Sequence, residues 1–259
     1  FKFILFAMSY LNVSRDGKLA TVLIDRHEKG NSLNPELLKE IYSTFNELSI
    51  DNKINVVILT GGEKYFSAGF DLNEIKKIKL EKNNEYIELF HKAYKSILFC
   101  SLPVIAAIGG PAIAGGFDLS MMCDFRYASK KAKFGQREIP LSLTPILDPL
   151  WRIIGYSRAL EVSFTGRIYD VQEAYAMGFV SKIFETGELL EGVNKIATEV
   201  SSYDRKLLVE TKQLGQQLLN SSLNDSMKIQ EWLFRTFMGS EDNHERIDKL
   251  QNFLKNQRK

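Results

Sequence analysis

Two carboxylates and two glycine-rich turns are the residues of this chain whose types and spacing could support chemistry. Asp118 follows the glycine-rich stretch Ala112–Gly116, and Glu138 comes later in the segment FGQREI. Glycine lets a ligand approach the backbone closely, and N–H groups at a helix start favour negative charge. Such donors beside two carboxylates predict acid–base chemistry next to a carbonyl group.

The other glycine-rich turn is GGEKYFSAGFDL, which covers Gly61–Leu72. It follows the apolar run Asn55–Thr60, and α/β proteins bind ligands at the carboxyl ends of such strands. The alternative is that both turns serve only tight packing. The turn at Gly109–Gly116 is neither a dinucleotide motif nor a P-loop, because its glycine spacing does not fit Gly-x-Gly-x-x-Gly and no Gly-Lys-Ser/Thr follows.

The elements that would position these turns form a βαβ pattern. Asp16-Gly17 predicts a hairpin, and Asn34 is predicted to cap a helix that begins at Pro35. This helix lies between the β-rich run Leu19–Ile24 and the apolar run Asn55–Thr60, and Val104–Ile108 predicts a further buried strand. A helix between two buried strands indicates a parallel sheet.

The second half of the chain reads as mostly helical. Ser157 is predicted to cap one helix, and Asp170 to cap another that Gly178 stops. From Leu189 onward the chain is almost continuous amphipathic helix without proline. The large apolar residues of this region either pack on its own core or form an oligomer interface.

Composition excludes several classes of function. The 259 residues suit one large domain or a domain with a helical appendage, and a net charge of +2 gives no footprint for nucleic acid. No apolar run is long enough to span a membrane. Cys100 and Cys123 read as reduced core residues of a cytoplasmic protein. The three histidines lack ligand spacing, so we expect no metal site.

Four segments together resemble the crotonase family, the enoyl-CoA hydratase/isomerase superfamily. FSAGFDL resembles its first signature, IAAIGGPAIAGGFDLSMMCDF its second and FGQREI its third. TGRIYDVQEAYAMGFVSKIF is similar to the helix and strand that close the family core. The segments follow the family order, and the resemblance spans roughly Tyr10 to Lys259.

The resemblance implies an α/β fold of the crotonase (ClpP-like) type, with repeated ββα units in two stacked sheets and a C-terminal helical trimerisation region. We expect residues 8–195 to form the core and residues 196–259 the helical region. Residues 1–7 read as upstream of a natural start at Met8. The family assembles homotrimers or hexamers, which are dimers of trimers. The implied partner is an acyl-CoA, a coenzyme A thioester that is substrate rather than cofactor.

The resemblance also assigns the site. The backbone N–H groups of Phe70 and Gly115 would form an oxyanion hole for the thioester oxygen, with Glu138 as the main proton-transfer residue and Asp118 as its partner. Asp118 is one methylene shorter than the glutamate usual in hydratases. Arg137 reads as a surface or ion-pairing residue, and the alternative is that it lowers the pKa of the neighbouring Glu138.

The remaining expected substrate-binding residues come from the two turns and from two loops. They are Ala68, Gly69, Asp71, Gly116, Ile146, Asp148 and Lys29. Lys29 lies in a loop that borders the CoA adenine in the family, with a solvated loop as the alternative. Two departures stand out: Gly109 replaces a usual asparagine, and ILDP, residues 146–149, replaces a small-residue turn. The bulk of ILDP should reshape the acyl pocket.

The predicted function is hydration of a 2-enoyl-CoA in fatty acid metabolism. A double-bond isomerase, in which Glu138 moves a proton between C2 and C4, is the alternative, as is a hydratase of branched or cyclic dienoyl-CoA. Decarboxylases, hydrolases and dehalogenases share the scaffold. A non-catalytic acyl-CoA or RNA binder is a further alternative, which the near-neutral charge and the retained carboxylates disfavour.

Overall fold

A computed structural model describes residues 9–219 and 221–257. Residues 1–7 and the proposed start at Met8 lie outside the described residues. The chain divides into two compact units, with the division after Ser201. We predicted a boundary at residue 195, which falls inside a helix that covers Leu189–Ser201.

Nine strands of the described residues form two sheets. They are β1 (Leu11–Asp16), β2 (Leu19–Ile24), β3 (Val56–Thr60), β4 (Val104–Ile108), β5 (Ala112–Ile113), β6 (Phe125–Ser129), β7 (Lys133–Gly135), β8 (Tyr169–Asp170) and β9 (Lys182–Phe184). The larger sheet has the order β1-β2-β3-β4-β6-β9, and the smaller sheet has the order β5-β7-β8.

Helices connect the strands and make up most of the last third of the chain. They are α1 (Pro35–Ile50), α2 (Leu72–Ile75), α3 (Asn84–Leu98), α4 (Gly115–Met121), α5 (Leu150–Ile154), α6 (Tyr156–Thr165), α7 (Val171–Ala176), α8 (Leu189–Ser201), α9 (Arg205–Leu218), α10 (Leu223–Phe237) and α11 (Glu241–Gln257). No helix in the described ranges has the length and apolarity needed to cross a membrane.

The larger sheet confirms the predicted hairpin and parallel arrangement. Strands β1 and β2 pair antiparallel, with Asp16 opposite Leu19 across the turn. From β2 onward the neighbouring strands are parallel. Every residue of β3 and β4 is buried, which explains why these strands read as continuous apolar runs.

Helix α8 belongs to the first unit because its apolar face completes the core. Leu189, Val193 and Ala197 pack in one cluster with Ile58 and Ile105 of the larger sheet. The sheet therefore needs the whole of α8, and the chain separates into its second unit only after that helix ends.

The predicted helix caps have mixed outcomes. Asn34 caps α1 by accepting a hydrogen bond from the Leu37 N–H, and Asp170 caps α7, so both predictions are confirmed. The prediction that Ser157 caps α6 is wrong. The helix already begins at Tyr156, because Gly155 turns the chain with a φ of 83° and its carbonyl accepts the first helical hydrogen bond from Ala159.

The smaller sheet brings the two glycine-rich turns side by side. A parallel bridge pairs Ser67 of the first turn with Ala112 of the second. Strand β5 in turn pairs with β7, which leads directly into the segment that carries Glu138. Three segments that are far apart in sequence therefore meet along one edge of the fold.

Candidate active site

Position 69 in the first glycine-rich turn has no room for a side chain. Gly69 has a φ of 94°, a conformation that favours glycine. A Cβ built there would lie 2.8 Å from the Ile113 carbonyl oxygen and 3.1 Å from the Gly115 nitrogen. The two turns are thus in direct contact at this glycine, which explains physically why the first turn needs it.

The second turn contains a strained residue just before α4. Ala114 has φ 50° and ψ −127°, an unfavourable conformation for a residue with a side chain. Its N–H donates to the Gly135 carbonyl at 2.8 Å, which ties the turn to β7. Strain of this kind is typical of backbone held in place for a functional purpose.

Two N–H groups in these contacting turns are left without an acceptor. In the first turn, the neighbours of Phe70 are both bonded: Gly69 N–H donates to Ser67 Oγ and Asp71 N–H donates to the Leu33 carbonyl. Phe70 N–H, between them, and Gly115 N–H donate to no acceptor within residues 9–219 and 221–257. Two free donors on adjacent turns are the arrangement that stabilises a developing oxyanion.

Glu138 is a buried carboxylate without hydrogen-bond partners. It is 6% exposed, and neither of its carboxylate oxygens has a partner among the described residues. Burial raises its pKa from the ordinary 4.5 to about 7. Arg137 is not among the causes that set this pKa, and its guanidinium donates to the Gly166 carbonyl at 2.6 Å.

Asp118 lies on α4 and is 1% exposed. Burial, followed by the negative charge of Glu138, raises its pKa well above the ordinary value, against the opposing effect of a hydrogen bond from Gln136. With the pKa of Asp118 well above its ordinary value and that of Glu138 at about 7, Asp118 is protonated near neutral pH while Glu138 can ionise. The pair can therefore act as one acid and one base at once.

Gln136 orients Asp118, and our sequence reasoning missed it. Its Nε2 donates to Asp118 Oδ1 at 3.0 Å and to the Ile146 carbonyl at 2.8 Å, and its Oε1 accepts from Ser163. Gln136 is fully buried. The signal was a polar amide two residues before Glu138, in the segment that directly follows β7.

Asp71 forms a buried ion pair, and its partner Arg26 was also missed. Arg26 Nη1 lies 2.9 Å from Asp71 Oδ2 and also donates to Ser32 Oγ. Asp71 Oδ1 caps α2 by accepting from the Asn73 N–H. Burial acts to raise the pKa of Asp71, but these hydrogen bonds outweigh it and lower the pKa. The pair anchors the residue that follows Phe70.

The other predicted substrate-binding residues occupy varied positions. Gly116 packs where a Cβ would collide with the Ser67 carbonyl, and Ile146 contributes its carbonyl to Gln136. Ala68 and Lys29 are exposed. Asp148 is also exposed and pairs with Arg152 at 2.9 Å, so the structure does not bring its carboxylate to the buried pair.

The departure at Gly109 has a packing explanation. A Cβ there would collide with the Gly62 carbonyl oxygen and lie 2.7 Å from the Glu63 Cα. The first turn therefore lies directly against this position and leaves no room for a side chain. Across residues 9–219 and 221–257, no group of histidine, cysteine or acidic side chains could hold a metal ion.

Comparison with known proteins agrees with this geometry. Residues 14–258 match the enoyl-CoA hydratase/isomerase family. The chain is 32% identical to the short-chain-enoyl-CoA hydratase of Clostridium acetobutylicum, over 89% of this chain and 90% of the relative. It is also 32% identical to the crotonyl-CoA hydratase of Syntrophomonas wolfei, over 92% of this chain and 94% of the relative.

A solved structure extends the likeness to the fold. The crystal structure of an enoyl-CoA hydratase from Bacillus anthracis superposes with a TM-score of 0.88 at 29% identity. The match covers 96% of this chain and 97% of the solved chain. With a family match over nearly the whole sequence and a shared fold, the chain belongs to the enoyl-CoA hydratase/isomerase family.

Proposed function

We propose that this protein is an enoyl-CoA hydratase, which adds water across the double bond of a 2-enoyl-CoA. The observation that carries the proposal is the buried pair of Asp118 and Glu138, whose pKa values are both raised, in a fold whose two glycine turns leave two N–H groups free. The names of its relatives, a short-chain and a crotonyl-CoA hydratase, support a short acyl chain.

The two free N–H groups would bind the thioester oxygen. As water adds at C3, negative charge moves through the conjugated system to this oxygen and forms an enolate. Donors at Phe70 and Gly115 that are already in place need no reorganisation when the charge appears. Each such donor is worth about 3 kcal/mol of transition-state stabilisation.

The carboxylate pair would move the protons. Its ionised member accepts a proton from water as the oxygen forms its bond to C3. Its protonated member then gives a proton to C2, which consumes the enolate and leaves a 3-hydroxyacyl-CoA. The pair ends with one proton, as it began. Glu138 is the better placed for proton transfer, because its oxygens have no partner among the described residues, whereas Gln136 holds Asp118.

A test compares hydration of crotonyl-CoA by the parent and by Glu138→Gln. The loss of enoyl-thioester absorbance measures the reaction. We expect the substitution to lower kcat by about 10²–10⁴-fold, the usual worth of a general acid or base. Glu188→Gln, which changes an exposed glutamate in the same way, should leave the rate unchanged. No turnover by the parent would refute the hydratase proposal, and full activity of Glu138→Gln would refute the role of Glu138.

A double-bond isomerase is the second candidate, and one observation favours it. Of the two buried carboxylates, only Glu138 has both oxygens free of partners among the described residues, and a proton shuttle between C2 and C4 needs only one mobile carboxylate. Asp118→Asn separates the two functions. It should lower the rate of hydration, which uses both carboxylates, by about 10²–10⁴-fold, but should largely spare conversion of a 3-enoyl-CoA.

The substrate and the other chemistries on this scaffold define further arms of the test. Branched and cyclic dienoyl-CoA substrates should be assayed beside crotonyl-CoA, because Ile146 and Asp148 replace a small-residue turn. A non-catalytic acyl-CoA binder would retain its affinity for coenzyme A thioesters in Glu138→Gln with no turnover in the parent.

We further propose a cytoplasmic protein that forms homotrimers or dimers of trimers through its C-terminal helices.

A further inference from the structure

Helix α3 presents aromatic side chains to the ring of Phe70. The rings of Tyr86 and Phe90 meet it edge-on, with centroids 5.9 Å and 5.3 Å away. The ring of Tyr94 stacks against it at 6.3 Å. The side chain of the residue that supplies one free N–H is therefore fixed by one face of one helix.

Tyr94 also contacts the residue that supplies the other free N–H. Its Oη donates to the Gly115 carbonyl at 2.7 Å, and the side chain is 2% exposed. A Cβ built on Gly115 would lie 2.9 Å from the Phe70 ring and 3.0 Å from Tyr94 Oη. One buried tyrosine thus contacts both members of the donor pair.

Gly115 needs such an external restraint. It has no side chain of its own to pack, and it follows the strained residue Ala114. On the far side, the Ala114 N–H is held by Gly135. The hydroxyl of Tyr94 holds the Gly115 carbonyl on the other side. The peptide group that carries the Gly115 N–H is therefore flanked by two hydrogen-bonded peptide groups.

We propose that Tyr94 is a positioning residue, which sets the separation and direction of the Phe70 and Gly115 N–H groups through its ring and its hydroxyl. This inference rests on the proposed function of the same site. It assigns Tyr94 no contact with substrate, because its hydroxyl proton is already donated to the Gly115 carbonyl.

The phenol is not the proton donor of the reaction. Burial raises its pKa well above the ordinary value, and the charges of Asp118 and Glu138 raise it further. The hydroxyl therefore stays protonated throughout the pH range of the carboxylate pair. Its effect on the reaction must pass through the position of the backbone donors.

The experiment compares Tyr94→Phe with Tyr86→Phe. Both changes remove one buried phenol oxygen from the same helix face, but the Tyr86 hydroxyl has no partner among the described residues. The probe is dimethylaminocinnamoyl-CoA, a conjugated thioester whose absorbance moves to longer wavelength when donors polarise its carbonyl. Crotonyl-CoA hydration supplies kcat and KM for the same proteins.

We expect Tyr94→Phe to lose most of the spectral shift of the bound probe. Its kcat should fall about 10–100-fold with KM changed less than about twofold, because a small displacement of donors weakens transition-state stabilisation more than ground-state binding. Tyr86→Phe should match the parent in both. A full spectral shift and a parental kcat in Tyr94→Phe would overturn the inference.

Phe70→Leu provides a second route should Tyr94→Phe fold poorly. It retains the N–H but removes the ring that stacks on Tyr94, and it should also reduce the spectral shift. A parent that shifts the probe but does not hydrate crotonyl-CoA refutes the hydratase proposal, while the variants still decide the role of Tyr94. A parent that does neither overturns both.

Discussion

The shared proton of Asp118 and Glu138 makes this site depend on pH in two ways. Hydration needs the pair to hold one proton, so activity should fall at acid pH, where the pair gains a second, and at alkaline pH, where it loses the last. The apparent pKa values belong to the pair. We expect a bell-shaped profile of kcat/KM, and Asp118→Asn should reduce it to a single titration. A flat profile would contradict a carboxylate mechanism.

The raised pKa of Glu138 also predicts how stability changes with pH. The folded state binds this proton more tightly than the unfolded state, because the pKa is about 7 when folded and 4.5 ordinarily. The stabilisation is therefore complete below pH 4.5 and is lost as pH rises towards 7. Between about pH 5 and pH 8 the free energy of unfolding should fall by at most about 3 kcal/mol more in the parent than in Glu138→Gln.

Urea unfolding across this range checks the prediction. Glu188→Gln is the matched control and should follow the parent at every pH, since its parent side chain is exposed. If the free energy of unfolding varies with pH in the same way in the parent and in Glu138→Gln, folding does not raise the pKa of Glu138.

At the scale of elements, the Arg26–Asp71 pair connects the loop before α1 to the start of α2. Removing Arg26 would leave the Asp71 carboxylate buried without its cation. We expect Arg26→Met to lower the free energy of unfolding by about 3–5 kcal/mol. Adding Asp71→Asn should recover part of that loss, because it removes the uncompensated charge. The measurement is urea unfolding of the single and double variants.

Arg15→Met is the control for this prediction. Arg15 is half exposed and its guanidinium lies 3.7 Å from Asp51. Exposed pairs of this kind contribute at most about 1 kcal/mol. A loss in Arg26→Met no larger than that in Arg15→Met would show that the buried pair does not anchor the turn.

Local sequence patterns were enough to predict several of these elements. The Asp16-Gly17 hairpin, the Asn34 cap and the apolar strand Val104–Ile108 each depend on neighbouring residues alone. The predicted cap at Ser157 was wrong because the backbone conformation of Gly155 makes that glycine the cap, two residues earlier. Apolar periodicity cannot report that conformation.

The contacts of the site are long-range and could not be predicted in the same way. Gln136 meets Asp118 from 18 positions away, and Arg26 meets Asp71 from 45 positions away. The family resemblance predicted which residues react but carried no information on the groups that hold them. For Asp148, the place in the sequence suggested the site, whereas the structure pairs its carboxylate with Arg152 at the surface.

At the scale of the whole molecule, the helices after Ser201 expose large apolar side chains. More than half the surface of each of Trp232, Phe234, Leu250 and Phe253 is exposed. Exposed apolar surface of this extent is typical of an interface between subunits. This agrees with the predicted trimerisation region, and it makes the oligomeric state directly testable.

We expect the protein to sediment as a trimer or hexamer and Trp232→Glu to shift it towards monomers, because a charge would be buried at the interface. Size-exclusion chromatography with light scattering provides the measurement. Lys228→Glu, which reverses an exposed charge on the same helix, should leave the mass unchanged. A parent that is monomeric at micromolar concentration would refute the assembly.

The donors at Phe70 and Gly115 belong to the backbone, and this has an evolutionary consequence. No change of side chain at Phe70 other than proline can delete its N–H. Point mutations can therefore displace this donor, but they can hardly ever remove it. The side chains of Asp118 and Glu138, in contrast, are each one substitution away from different chemistry. A scaffold built in this way can acquire a new reaction while keeping its hold on the same class of activated acyl group.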